Sequence, residues 1–415
     1  MSGMLIVGAG LAGLTVAETL RAEGYAGPVT LLGAEPHAPY QRPPLSKGFL
    51  LGETAEAQLM MRTAEAMEKK SIGLKVPAGT HSTGAGVTAI DRGAKQVTLA
   101  DGSTLAYDGL ALCTGARLRP LPLAGADADG VFGLRSLDDA KAIKAALETA
   151  QNVVIIGGGF IGLEVAAVAR RKGRQVTVLE AAERLMARVV PPHLSQFYLD
   201  LHRGQGVEVV LAATVAELIG ADGRIAAVRT GDGREFPADL VLVGIGVIAN
   251  AELAQAAGLD VAGGIVVDAC SRTADPAIVA AGDCSVRRLD DGGLRRLESV
   301  QNAMEQAKSA AVALLGRERP FTATPWFWSD QYDVKLQMAG LTAGFDTVVT
   351  RGAAKVDTTT RKFSWYYFRA GRLIAIDSLN QSPDHLTGRK LLDKGISPTP
   401  AQAAESSFDL AALLA

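Results

Sequence analysis

Apolar residues along this chain gather into runs of four or five that end in glycine, and the arrangement recurs. Met4-Leu-Ile-Val7 leads into Gly8-x-Gly10-x-x-Gly13, then into apolar positions at helical spacing over Leu14–Ala22. A second run, Val29–Leu32, and an acidic residue, Glu35, follow. The pattern returns 149 residues later, from Gly8 to Gly157: Val153-Val-Ile-Ile156, Gly157-x-Gly159-x-x-Gly162, a helical stretch Leu163–Lys172, the run Val176–Leu179 and Glu180. Short runs without alternation suit strands buried on both faces, and the helical period between them predicts a parallel βαβ unit, present twice.

Other segments fit around these units. Leu110–Gly115 and Leu240–Gly246 are apolar strands ending in glycine that flank the second repeat, and Thr273–Asp283 reads as a turn, a buried strand and Gly282-Asp283. The second unit is therefore expected as an insertion in the first, with Arg117–Pro122 as a linker. Ser136 is expected to cap a helix over Leu137–Ala150, with Asp138 and Asp139 in its first turn. Thr54–Lys70 and Glu298–Leu315 read as helical, the latter with Ser299 near its start. Residues 321–415 hold 12 of the 21 aromatics, and Lys355–Asp377 alternates through Phe363, Trp365 and Tyr367 about a turn at Ala370-Gly371. The tail Gln402–Ala415 is expected to be a helix. The fold class is α/β: two Rossmann-like dinucleotide-binding domains, the second inserted in the first, plus a small α+β C-terminal domain. The expected boundaries are 1–113 with 245–320, then 114–244, then 321–415.

The glycine pattern carries chemistry. The first glycine permits the tight turn, the second lets a pyrophosphate approach the backbone, and the third lets helix and strand pack closely. The pyrophosphate then sits on free N–H groups at the helix start, and the acid about 20 residues on accepts the ribose hydroxyls. Two ordinary strand–helix turns would look the same one at a time; two copies with both acids in place point to a flavoprotein that also binds a nicotinamide. Asp283 could close a strand in any α/β protein or accept hydrogen bonds from a flavin's ribityl chain. Glu180 ends its run with Ala181-Ala182 and no adjacent Arg or His, so NADH is expected over NADPH.

Composition narrows the class. Lys+Arg number 42 against 44 Asp+Glu, so nothing suggests a nucleic-acid partner. Cys113, Cys270 and Cys284 form no CxxC pair, and the 5 histidines show no metal-ligand spacing, so no metal is expected. Leu240–Ala249 is the most apolar run and is too short for a membrane span. With no basic segment at Met1–Met4, a cytoplasmic protein is expected.

Three stretches carry a family resemblance over essentially the whole chain: Tyr40-Gln-Arg-Pro-Pro-Leu-Ser-Lys47, Gly159-Phe-Ile-Gly-Leu-Glu-Val-Ala166 and Pro325-Trp-Phe-Trp-Ser-Asp-Gln-Tyr332. They resemble the FAD-dependent, NADH-linked ferredoxin reductases of bacterial oxygenase systems, the putidaredoxin reductase and aromatic-dioxygenase reductase family, which has the glutathione-reductase fold. The resemblance implies that NADH reduces FAD and that electrons pass singly to a [2Fe-2S] ferredoxin. It implies no catalytic thiol, because Arg42–Lys47 stands where disulfide reductases carry their cysteines. It leaves open an NADH oxidase, a rubredoxin reductase or a redox sensor of the apoptosis-inducing-factor type. A monomer or weak dimer is expected.

Site residues follow from the same likeness. Gly8, Gly10, Ala12 and Gly13 would line the FAD pyrophosphate, and Glu35 would take the ribose, since Ala34 stands where relatives place an acid. Arg42, Val87, Arg135, Asp283 and Val300 would also meet FAD. Gly157, Gly159, Ile161, Gly162, Glu180 and Gly246 would hold NADH. Lys47 would approach the flavin and pair with Glu164, which is expected in the first turn of its helix. Trp328 would lie where a ferredoxin docks, with Arg62, Lys308, Arg317 and Arg319 as candidate basic contacts. The residues alone also allow a surface lysine at Lys47, a helix-face arginine at Arg184 and core aromatics at Trp326 and Trp328. The Gly79–Gly86 connection is longer than usual and bears on the adenine pocket.

Overall fold

The computed structural model describes residues 2–76, 86–289, 291–353, 356–357 and 359–415. Apart from Gly86, the Gly79–Gly86 connection lies outside the described residues, as does Lys355. Packing divides the chain into two compact units: Met1–Gln41, Glu56–Arg117 and Val247–Ala323 form one, and Arg42–Ala55, Leu118–Gly246 and Thr324–Ala415 the other.

The first unit is built on a five-stranded parallel sheet. Its order is Ile278–Ala280, Gly109–Leu112, Met4–Val7, Val29–Leu32 and Ile72–Lys75. The strand before the first glycine turn is therefore central. Met4–Val7 is buried at all four positions, as a strand covered on both faces must be. Helices Leu11–Ala22 and Val300–Leu314 share one face, where Ala17, Leu20, Ala307, Ala310 and Ala311 are fully buried. Small side chains on the second helix let the two pack closely.

The second unit contains the same sheet again. Its order is Glu208–Val210, Gln175–Leu179, Asn152–Ile156, Leu240–Val243 and Val131–Phe132, also parallel. In both sheets the order reverses beside the glycine-turn strand, and open α/β sheets bind ligands at that switch point. The expected helix at Leu137 runs to Thr149, with Ser136 and Asp139 forming a capping box. The short segment Arg42–Ala55 also belongs to this unit; Lys144 of that helix lies 4.9 Å from the centroid of the Phe49 ring.

The remaining sheet of this unit is antiparallel, in the order Trp326–Gln331, Val334–Gly340, Arg372–Leu379, Phe363–Arg369 and Thr347–Arg351. Ala370 (φ 48°) and Gly371 (φ 74°) make its expected hairpin turn, both with the positive φ such turns need. The expected alternation is absent from Phe363–Arg369, where every residue but the last is buried. The cause is cover on both faces. Tyr366 and Phe368 pack with Leu391, Ala403 and Leu410 of the C-terminal helices, while Phe363 and Trp365 meet Phe197 and His193 of helix Pro192–Gly204. The tail is not one helix: Pro400–Ala404, capped by Thr399, stops before a final 3-10 turn Leu410–Leu414. The expected helix Thr54–Lys70 is likewise two short pieces, Glu56–Leu59 and Ala64–Glu68. Thr63 caps the second piece, because its hydroxyl accepts from Ala66 N. Among the described residues no helix is long and apolar enough to cross a membrane.

Asp377 is 1% exposed, in the strand beside Phe363–Arg369, and its carboxylate accepts from the Tyr367 hydroxyl at 2.7 Å. Burial pushes its pKa up to about 7. A carboxyl raised in this way holds its proton more tightly folded than unfolded. Its effect therefore turns against the fold as pH rises from the ordinary carboxylate range to about 7. Asp377→Asn, which keeps the acceptor and removes the charge, is expected to gain stability on wild type by roughly 1–3 kcal/mol between pH 5 and pH 8. Urea unfolding of both proteins at the two pH values measures it; a difference that does not change with pH would show that Asp377 does not titrate in this way.

Candidate functional site

The two glycine turns are alike atom for atom. Gly8 has φ +115°, and a Cβ there would stand 2.0 Å from the Cys113 carbonyl oxygen; one on Gly13 would stand 1.9 Å from the Gly8 oxygen. In the second turn Gly157 has φ +107°, with the Gly244 oxygen 2.5 Å from its Cβ position, and Gly162 would meet the Gly157 oxygen at 2.3 Å. The middle glycines differ. Cβ atoms on Gly10 and Gly159 would have nothing within 4 Å. The fold thus demands the first and third glycine of each turn but not the second. Open space at the second is what a pyrophosphate resting on the backbone needs. Helices Leu11–Ala22 and Phe160–Arg171 also begin without a side-chain cap and without an acid in the first turn, whereas Ser136 and Ser299 cap theirs. Their first N–H groups are left for an anion.

Around the first turn, Ala12 is buried and 3.1 Å from where a Gly282 Cβ would lie, so both must be small. Asp283 follows the strand Ile278–Ala280, and Gln306, not foreseen from sequence, pins this corner. Its Oε1 accepts from Gly282 N at 2.9 Å and from the Ser285 hydroxyl at 2.9 Å. Its signal was a glutamine facing the alanine-rich side of its helix. Val300 opens that helix, two residues after the expected start at Glu298, with Ser299 as its cap. Glu35 accepts from the Tyr40 hydroxyl. Val87 packs at the rim of the first unit's core.

Around the second turn, both Glu180 oxygens meet backbone. Oε2 accepts from Gly158 N at 2.6 Å and Oε1 from Ala182 N at 2.7 Å. Each keeps acceptor capacity for a diol. Ile161 is 45% exposed beside the open glycine. Gly246 has φ +106° with Arg188 against it. Arg184 is not on a helix; its guanidinium donates to the Val190 and Ala187 carbonyls and to the Ser195 hydroxyl, which holds a loop.

Lys47 and Glu164 meet. Lys47 Nζ donates to Glu164 Oε2 at 2.7 Å, with the side chains 18% and 2% exposed. Two further donors, missed from sequence, complete the carboxylate: Ser46 Oγ at 2.5 Å on Oε2 and Ser329 Oγ at 2.7 Å on Oε1. Glu164 lies beyond the first turn of its helix, five residues after Gly159, so direct donors rather than the helix end account for its charge. Its counterpart in the first repeat, Thr15, donates to its own helix at Leu11 O. Pro43 and Pro44 open the short 3-10 turn that ends at Ser46, just before Lys47. Arg42 Nη1 donates to the Arg135 carbonyl at 2.6 Å, and Arg135 N donates to Asp139. Trp326 and Trp328 share a strand face, with ring centroids 5.6 Å apart.

Residues 3–307 match the pyridine nucleotide-disulphide oxidoreductase family and residues 326–414 the reductase C-terminal family. The chain belongs to the pyridine nucleotide-disulphide oxidoreductases. Within them it lies, over its whole length, in the ferredoxin-reductase branch. It is 45% identical over 408 residues to rhodocoxin reductase from Rhodococcus erythropolis, covering 98% of this chain and 93% of that one. Among solved structures, the ferredoxin reductase for the CYP199A2 system from Rhodopseudomonas palustris matches with a TM-score of 0.94 at 44% identity, over all of both chains. The covalent putidaredoxin reductase–putidaredoxin complex matches with a TM-score of 0.93 at 39% identity, over 100% of this chain and 98% of that one. Membership makes the protein a flavoprotein oxidoreductase that uses FAD and NAD(H), and the two open glycine cradles fit two dinucleotides.

The reductase's thiols are not placed for disulfide chemistry. Cys113, Cys270 and Cys284 are free and buried, and burial holds the Cys113 thiol well above its ordinary pKa and raises that of Cys284. A buried neutral thiol is a poor nucleophile. Nor do the candidate basic residues form a free patch. Arg62 lies between the two helical pieces and pairs with Glu18 at 2.9 Å, Lys308 with Glu305 at 2.6 Å and Arg317 with Glu23 at 2.8 Å. Arg319 is exposed.

The glycine asymmetry can be tested in the apo reductase. Gly13→Ala is expected to cost about 1–3 kcal/mol of stability through overpacking. Gly10→Val is expected to leave the apo melting transition within about 1 kcal/mol of wild type and to abolish FAD binding. Apo melting and bound-flavin absorbance give both readings; full flavin content in Gly10→Val would remove the first turn from the pyrophosphate site.

Proposed function

We propose that this reductase takes a hydride from NADH and delivers electrons to a [2Fe-2S] ferredoxin that feeds an oxygenase. The observation that carries the reading is the Lys47–Glu164 pair on the segment where a disulfide-reducing relative would present thiols. The bound FAD supplies the ability to receive two electrons together and release them one at a time. Gly8, Gly10, Ala12 and Gly13 hold its pyrophosphate against the free N–H groups of helix Leu11–Ala22. Glu35, Arg42, Val87, Arg135, Asp283 and Val300 bind its remaining groups. Gly157, Gly159, Ile161, Gly162 and Gly246 form the NADH cradle, and Glu180 accepts its ribose diol. Lys47 places positive charge where negative charge arrives with the hydride, and Glu164 aims it. Trp328 serves contact with the ferredoxin. The three domains suggested by the sequence carry these roles in turn: FAD, NADH and partner.

Lys47→Met and Glu164→Ala are expected to slow flavin reduction at least about tenfold, equivalent to about 1.4 kcal/mol of transition-state stabilisation. Stopped-flow single turnovers with NADH measure it. Wild-type rates in both variants would remove the pair from the active site. NADH should be preferred over NADPH by about tenfold in kcat/KM, because the Glu180 carboxylate repels a 2′-phosphate. Glu180→Gln should narrow the gap; equal use of both cofactors by wild type would refute the assignment.

A further inference from the structure

The Glu164 oxygen that does not meet Lys47 ends a chain of buried polar groups. Ser329 Oγ is 2.7 Å from Glu164 Oε1, and Gln331 Nε2 is 3.1 Å from Ser329 Oγ. Gln331 Oε1 is 2.8 Å from His202 Nε2, and His202 Nδ1 is 3.2 Å from the Tyr332 hydroxyl. Glu164, Ser329, Gln331 and His202 are each no more than 2% exposed.

For a neutral His202 ring the hydrogens in this chain have one consistent assignment. A carboxylate only accepts, so Ser329 donates to it. With its one hydrogen used, Ser329 must accept from the Gln331 amide. The Gln331 oxygen therefore faces His202, whose Nε2 carries the hydrogen, and Nδ1 accepts from Tyr332. Burial holds the His202 pKa down to about 4, which agrees with a neutral ring. Every donor points towards Glu164. Tyr332 sustains a positive φ of 56°, uncommon for a bulky residue, at the far end.

We propose that Ser329, Gln331 and His202 are positioning residues that orient the Glu164 carboxylate and, through it, the Lys47 ammonium for the hydride step. The inference rests on the role given to Lys47 and Glu164 above. Without the chain, Oε1 loses its hydroxyl donor and the carboxylate can turn about its bond to the helix. A misplacement of about 1 Å at a reacting group can cost on the order of 10²-fold in rate. The titratable and charged groups around the chain include Lys47, Glu164, Tyr332, Arg170, Tyr198, Asp330 and Asp377; burial and then the charges of Glu164, Asp330 and Asp377 keep the Tyr198 phenol protonated.

The test uses the FAD-loaded protein and NADH in single turnovers. Ser329→Ala should slow flavin reduction at least about tenfold at pH 7 with flavin content unchanged. Gln331→Glu is nearly isosteric but donates to Ser329 only when protonated. Its rate should match wild type at low pH and fall as pH rises and the introduced carboxyl ionises, a limb that wild type lacks. A merely structural amide would change stability without creating that limb. In the unloaded protein, nitrogen-15 shifts should show His202 neutral and protonated on Nε2 at pH 7; a cationic ring or the other tautomer would overturn the assignment. If Lys47→Met slows reduction while Ser329→Ala stays within about twofold of wild type and Gln331→Glu shows no pH limb, the chain has no positioning role and the inference fails alone. If Lys47→Met is itself as fast as wild type, the underlying reading fails first. Should Ser329→Ala not hold flavin, the Gln331→Glu profile and the His202 tautomer still decide.

Discussion

A carboxylate that is 2% exposed has to be neutralised where it sits, and Glu164 organises its unit around that need. Removing a charge from water costs several kcal/mol unless opposite charge and hydrogen bonds replace the solvent. Here the replacements come from sequence-distant segments: Ser46 and Lys47 at the proline turn, and Ser329 on an edge strand of the antiparallel sheet. The carboxylate therefore ties together three pieces of chain that come from distant parts of the sequence. With Arg42 on the Arg135 carbonyl and Lys144 over the Phe49 ring, it is one of the contacts by which the short segment Arg42–Ala55 packs with the second unit although it interrupts the first in sequence. Phe160 against Phe327, with ring centroids 4.7 Å apart, supplies apolar contact beside the same junction.

The duplicated βαβ units make the comparison internal. Both turns require the first and third glycine for the same steric reason and leave the second facing open space. Both helices start uncapped, so the same backbone geometry serves two dinucleotides. Among the positions where the two helices differ, one decides which other segments each can reach. Thr15 donates back to its own helix, whereas Glu164 reaches out to other segments. A duplicated scaffold thus carries different surroundings, and Glu164 with its partners is one of the differences.

The same economy shows in the thiols. All three cysteines are buried, and Lys47 is held by the Glu164 carboxylate on the segment where the proposed reading puts the site's charge. In the proposed reading, that arrangement moves the chemistry from bond-making at sulfur to electrostatic support of hydride transfer.

Much of this was legible in the chain itself. Unalternating apolar runs, glycine spacing and helical periods determine the two parallel units, because local sterics decide those turns: Gly8 and Gly157 could not be otherwise. Caps at Ser136 and Ser299 were equally local. Only the tertiary structure decided the rest. The strand at Phe363 looked half-exposed until helix Pro192–Gly204 covered its second face, and the tail broke where Glu405–Asp409 leaves the helical path. Arg62, Lys308 and Arg317 looked like free charge until folding brought Glu18 and Glu23 to Arg62 and Arg317, and Lys308 turned to Glu305 one turn before it. His202, on helix Pro192–Gly204, lies more than 120 residues along the chain from Ser329 and Gln331 on the antiparallel sheet. No periodicity links such residues. Period two does put Ser329 and Gln331 on one strand face with Phe327, but what a buried serine and amide are for depends on what packs against them, and packing is decided by the whole chain.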